Sequence, residues 1–214
     1  MAARKSITRG KRTFRVKFPS PKNKGMVYCE SILESHTALY LEVCPYVKRY
    51  EAQPSVEVYY DLAGNQHLYY PDFRAVLEDD SEIDIESKPA AKLHNLEIKT
   101  KLDAVHLRYQ ELGRRFRIVT EHHIRKEPLF SNLKLVYASA RVPIDGNLLS
   151  FLKLRLQEAQ FDTVEEAARI LGGPQHVRRL LAQGYLMTHF LKPIHSGSHI
   201  WLAEKGGYDA ALHI

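Results

Sequence analysis

Two carboxylates and one ammonium are brought within reach of each other by the stretch between Tyr69 and Lys88. It opens on Tyr69-Tyr70-Pro71-Asp72-Phe73 and closes on Ile83-Asp84-Ile85-Glu86-Ser87-Lys88. Arg74-Ala75-Val76-Leu77 reads as a strand, Glu78-Asp79-Asp80-Ser81 as the reversal, and 82–88 as the returning strand. Side chains on a strand alternate between faces. Glu82, Asp84, Glu86 and Lys88 then share one face, and Ile83, Ile85 and Ser87 the other. A turn near Asp79-Asp80 sets Asp72 beside Glu86-Ser87-Lys88. Hard divalent cations take carboxylate oxygens and keep several waters. Such an ion polarises a phosphate and lowers the pKa of an attacking water, while a lysine can orient that water or offset charge on the phosphorane. The chemistry in view is metal-assisted phosphodiester hydrolysis. The plainer alternative is a hairpin whose charged face is merely solvated.

The elements around this hairpin read as alternating strands and helices. The stretch 14–18 alternates apolar and basic residues, as a short strand or an arm would, and 20–25 is a loop by composition. A first helix is expected over 28–44, stopped by Pro45. Glu30 and Glu34 lie four apart on it, either as a wet face or with one of them completing a metal shell. Strands follow over 47–52 and 55–61, with a hairpin turn at Ala63-Gly64-Asn65-Gln66. A long helix is expected over 91–112, with Gly113 as its stop, then a strand over 115–121 and a helix over 129–140. The pattern is an α/β domain over 26–142.

A second, helical unit is expected over 148–214. It holds a helix at 148–159, a capping-box spacing from Thr163 to Glu166, a helix at 164–171, and one opened by Pro174 and running to Ala182. Two strands, 185–191 and 199–202, complete a winged-helix pattern. Gln175, His176, Arg178 and Arg179 would lie on its recognition-type helix. Its partner, DNA or protein, is left open by the balance of seven basic against six acidic residues over 150–214.

Composition narrows the class. The chain has 214 residues, 44% hydrophobic, with no run of about 18 apolar residues, so no transmembrane helix is expected. No apolar stretch follows the basic start, so no secretory signal is expected. Cys29 and Cys44 are expected as reduced thiols of a cytoplasmic protein. Residues 1–25 carry nine Lys or Arg and no acid, against a net charge of +6 for the whole. Such an arm points to a polyanion, with nucleic acid first. Arg12, Arg15, Lys17, Lys22 and Lys24 are its candidate DNA contacts. Eleven histidines, among them His122-His123 and the pair His195 and His199, have no cysteine nearby, and zinc is not expected.

Four blocks in order carry a family resemblance: Glu30-Ser31-Ile32-Leu33-Glu34, Tyr50-Glu51-Ala52-Gln53-Pro54, Tyr70-Pro71-Asp72-Phe73 and Glu86-Ser87-Lys88-Pro89. Similarity continues through Arg117-Ile118-Val119-Thr120-Glu121 and Leu129-Phe130-Ser131-Asn132-Leu133. Over about 14–140 the chain resembles the TnsA endonucleases, the restriction-enzyme-like subunits of heteromeric transposases, including those of CRISPR-associated transposons. The resemblance implies a PD-(D/E)xK nuclease core followed by a winged-helix-like C-terminal domain. It implies Mg²⁺-dependent cleavage (Mn²⁺ substituting) of the 5′ strand at transposon ends. It also implies a DDE-type transposase for the other strand and an AAA+ ATPase regulator, on bacterial nucleoid DNA. Glu34, Asp72, Glu86 and Lys88 fall on the catalytic positions, the three carboxylates on the metal, and Gln53 on a supporting position. Ser87 departs from the family, which usually carries an apolar residue there, and a small packing loss is expected.

The reading is then a basic arm (1–25), a nuclease domain (26–142) and a C-terminal domain (148–214). Asp72→Ala is expected to abolish cleavage with the fold intact. Two rivals stay open: a stand-alone nuclease of the same core, for restriction or junction resolution, and a catalytically silent DNA- or protein-binding adaptor.

Overall fold

A computed structural model describes residues 15–142 and 145–203. Arg12 and most of the basic arm lie outside these described residues.

The centre is a mixed four-stranded sheet. Its strands are β3 (Val47–Ala52), β6 (Phe73–Leu77), β7 (Glu82–Ser87) and β8 (Arg115–Val119), side by side in that order. β3 and β7 run antiparallel to β6, whereas β8 runs parallel to β7. A parallel return needs a crossover. A 3₁₀ turn (Ala90–His94) and α2 (Leu96–Glu111) provide it. The single helix expected over 91–112 is broken at Asn95, whose side chain accepts from Ile98 N–H at 3.1 Å and caps α2.

One face of the sheet, bearing Ile83 and Ile85, packs on α1 (Ile32–Val43) and α4 (Leu129–Ala140) in the main apolar cluster. The opposite face carries Asp84 and Glu86, and both are buried. The two-stranded hairpin of β4 (Glu57–Tyr60) and β5 (Gln66–Tyr69) covers it together with α2. Tyr59, Tyr69, Val105 and Tyr109 form the small apolar cluster there. A solvated charged face, the plain alternative for this strand, is therefore not what forms.

The helix expected from Tyr28 begins instead at Ile32. Its N-cap is Ser31, which accepts from Glu34 N–H at 3.0 Å. The residues before it belong to β2 (Gly25–Cys29), paired with β1 (Val16–Ser20). Val27 and Cys29 point into the core while Met26 and Tyr28 stay exposed, a period-two pattern masked by the helix signal downstream. At the other end of α1, Lys22 Nζ donates to the carbonyls of Leu41 and Cys44 at 2.9 and 2.8 Å. A cation suits a helix C-terminus, so Lys22 serves the fold where an outward DNA contact was expected.

The strand expected over 115–121 ends at Val119. Thr120 then caps the short α3 (Glu121–Ile124) in a capping box closed by His123. Beyond α4 come α5 (Gly146–Gln157), α6 (Val164–Leu171) and α7 (Pro174–Ala182). Thr163 and Glu166 form the expected capping box. A hairpin of β9 (Leu186–Thr188) and β10 (Ile200–Leu202) follows. α7 packs on α4, and the main apolar cluster runs without a break from Phe18 to Ile200. Asn132 of α4 ties in the loop after β9: its Nδ2 donates to the carbonyls of Phe190 and Lys192, and its Oδ1 accepts from Ile194 N–H. Arg178 Nε donates to Ser139 Oγ at 3.2 Å and Arg179 donates to Val142 O at 2.6 Å. Both arginines of the expected recognition helix thus turn towards the end of α4. Among the described residues, no helix is long and apolar enough to cross a membrane.

Candidate active site

The hairpin of β6 and β7 brings its two ends together as its turn chemistry requires. Phe73 pairs with Ile85, which sets Asp72 opposite Glu86. Ser87 N–H donates to Asp72 Oδ2 at 2.7 Å, so the strand itself aims this carboxylate. Lys88 Nζ lies 2.6 Å from Glu86 Oε1. Gln53 follows β3 in the left-handed region (φ 49°), and its N–H donates to Asp72 O at 2.9 Å. A non-glycine residue held there is uncommon. Gln53 is thereby joined to Asp72 through its backbone.

Glu34 approaches from the first turn of α1. Its Oε2 accepts from Glu30 N–H at 2.6 Å, which ties the carboxylate to the residue just before the N-cap. Of the pair Glu30 and Glu34, the second is the one close enough to influence Asp72 electrostatically.

The electrostatics are those of crowded carboxylates. Burial, then Glu86 and then Glu34 raise Asp72 well above the usual carboxylate range. Burial raises Glu34 as well, and Glu86 adds to it. For Lys88, burial alone acts downward, but Glu86, Asp72 and Glu34 outweigh it and hold the ammonium charged. Cys29 lies beneath them, its thiol pushed up to about 12 by burial and by Glu34 and Asp72. It is an inert part of the wall, since only a thiolate attacks or ligates.

This donor set fits a hard cation. Asp72 and Glu34, both of raised proton affinity, gain most from positive charge placed beside them. Among the described residues, no three His, Cys, Asp or Glu side chains stand ready to close on one ion. Mg²⁺ bound through one or two carboxylates and several waters needs no such cage.

Two features escaped the sequence reading. Tyr69, at the end of β5, donates its hydroxyl to Glu86 Oε2 at 2.6 Å. Burial and the negative charge of Glu86 push that hydroxyl far up, so it stays a donor. The second is an ion network beside it. Asp84 is gripped by Arg74 at 2.6 and 2.7 Å, by Arg114 at 3.0 Å and by the hydroxyl of Tyr109 at 2.5 Å. Glu57 of β4 joins through Arg114 at 2.7 Å and Arg74 at 3.3 Å. The network ties the β4–β5 hairpin to the sheet. A tyrosine three residues before the aspartate was visible in the sequence, but nothing local marked its partner.

Ser87 has a partner that the sequence did not indicate. Its side chain faces α1, and its hydroxyl meets Thr37 Oγ1 at 2.8 Å in a buried contact. The hydrogen bond gives the buried hydroxyl a partner where an apolar residue would have packed. Thr37→Val should cost about 1–3 kcal/mol by leaving the Ser87 hydroxyl unpaired. Ser87→Ala combined with Thr37→Val should cost less than the two singles added together. Urea unfolding of the four proteins tests this, and strictly additive losses would mean that the two hydroxyls do not interact.

Of the expected DNA contacts, Arg15, Lys17 and Lys24 are exposed, with Lys17 opposite Tyr28 on the outer face of the β1–β2 hairpin. Neither cysteine is in a disulfide, and both are buried.

With the geometry described, the comparison with protein families is direct. Residues 44–121 match the family model described as TnsA-like endonuclease N terminal. The match covers this stretch alone, and three of the four sequence blocks, from Tyr50 to Pro89, fall inside it. The match spans Gln53, Asp72, Glu86 and Lys88, while Glu34 lies just before it. No curated protein matches the chain.

Proposed function

We propose that this chain is the metal-dependent DNA endonuclease subunit of a heteromeric transposase, cutting the 5′ strand at each transposon end. The meeting of Asp72, Glu86 and Lys88 at the open end of one hairpin, inside the matched span, is the observation that most supports it. Asp72 and Glu86 would hold Mg²⁺ (Mn²⁺ substituting), with Glu34 assisting from α1. The bound ion supplies a Lewis acid for the scissile phosphate and a water of lowered pKa. Ser87 N–H keeps Asp72 aimed at the site. Lys88 orients the attacking water and offsets charge on the phosphorane.

Arg15, Lys17 and Lys24 contact the DNA backbone, together with Arg12. A DDE-type transposase cuts the other strand, and an AAA+ ATPase regulator engages the assembly. Helices α5 to α7 with the β9–β10 hairpin act as a winged-helix-like unit. Because Arg178 and Arg179 turn towards α4, this unit meets protein and does not enter the major groove through them.

The test is cleavage of an end-labelled transposon-end duplex, with and without the transposase partner, and with Mg²⁺ or EDTA. A 5′-strand nick that needs both partner and metal is expected. Nicking without any partner would make the chain a stand-alone nuclease. Transposition unchanged in an Asp72→Asn/Glu86→Gln variant would make it a silent adaptor.

A further inference from the structure

We propose that Tyr69 is a positioning residue: its hydroxyl holds Glu86 Oε2, so that the oxygen presented to the cation is Oε1, which the Lys88 ammonium would yield to it. The inference rests on the nuclease reading above. Glu86 is 5% exposed, and each of its two oxygens meets one donor, Lys88 Nζ on Oε1 and Tyr69 OH on Oε2, both at 2.6 Å. The two donors differ in kind. Lys88 is an ammonium on a flexible stem with 28% of its side chain exposed. Tyr69 is 2% exposed, and its ring is wedged edge-on against Phe116 at 5.9 Å. Lys101 Nζ lies 5.4 Å from the centre of the same ring.

A neutral donor on one carboxylate oxygen leaves the ligand anionic while fixing its rotation. Groups that hold metal ligands in this way tune affinity as well as orientation. Tyr69 comes from the β4–β5 hairpin, which is not hydrogen-bonded to the main sheet as a strand. Glu57, opposite Tyr69 in that hairpin, is anchored by Arg114 and Arg74. The position of the tyrosine hydroxyl is thereby set by an ion network outside the site.

The test is Tyr69→Phe in the full chain, which keeps the ring and its packing. Mn²⁺ alone is titrated by electron paramagnetic resonance, with and without a double-stranded oligonucleotide. Thermal unfolding is followed in parallel. About a 10–100-fold weaker Mn²⁺ affinity at unchanged stoichiometry is expected. The Mg²⁺ concentration for half-maximal nicking should rise by a similar factor, with KM for DNA unchanged. A lowered unfolding midpoint with wild-type Mn²⁺ affinity would make Tyr69 a purely structural partner of a buried carboxylate and overturn the proposal. Absence of Mn²⁺ binding by the wild-type chain, with DNA present, would overturn the nuclease reading and this inference together. An Asp72→Asn/Glu86→Gln control separates the two failures, because its loss of binding locates the ion at the hairpin.

Discussion

Replacing Asp72 by asparagine is expected to silence cleavage while leaving the unfolding midpoint at or above that of the wild-type chain. Loss of a metal-binding carboxylate removes several kcal/mol of transition-state stabilisation. A loss of about 4 kcal/mol is roughly a thousandfold in rate. Stability should move the other way. Asp72 is buried beside Glu86 and Glu34, and that setting disfavours its charged form. Asparagine removes the charge and keeps an oxygen for Ser87 N–H. Alanine is the poorer probe: it strands that N–H and so costs about 1–3 kcal/mol through a lost acceptor. The expectation that Asp72→Ala leaves the fold untouched therefore gives way to a preference for Asp72→Asn. Nicking assays and thermal unfolding on one preparation decide the matter. Retained cleavage removes Asp72 from the chemistry, and a large drop in midpoint refutes the electrostatic account.

The second large effect is expected at Asp84, on stability. Asp84→Ala should cost about 3–5 kcal/mol, the usual consequence of breaking a buried ion pair from one side. Asp84 is 2% exposed, and its removal leaves Arg74, Arg114 and the Tyr109 hydroxyl facing a gap. The β4–β5 hairpin keeps its Glu57–Arg74 and Tyr69–Glu86 ties, but the two arginines lose the carboxylate they share. Urea unfolding followed by circular dichroism measures the loss. A change below about 1 kcal/mol would mean that the covered face is wet in solution, since exposed pairs contribute no more than that.

These two carboxylates show how far the sequence could be read. Asp72 was legible because its partners are local. One four-residue turn and the period of a strand determine what lies opposite it. Asp84 was legible in direction, on the same face as Glu86, but not in environment. Arg114 lies 30 residues away and arrives through a crossover helix, and no periodicity announces that pairing. Tyr69 was hidden for the same reason, its bond to Glu86 joining a separate hairpin to the sheet. Glu34 was placed by the family blocks, although its helix starts later than its composition implied. β2 was lost to the stronger apolar signal of α1. Lys22 and Arg179 show the limit of charge counting. Each was read from its charge as a candidate DNA contact, and charge alone does not show that each also donates to main-chain carbonyls within the fold.

The unbroken apolar cluster has a consequence for how the chain is made. Synthesis proceeds from the N-terminus, and every residue of the hairpin site emerges before α7 exists. Yet α4 packs on α7, and Asn132 of α4 holds the loop after β9. Until those late segments leave the ribosome, Leu133 and Val136 lack part of their final packing. The same cluster includes Leu33 and Leu41 of α1, the helix that carries Glu34. The site residues are thus made before the segments, from α7 to the loop after β9, that finish the layer behind them.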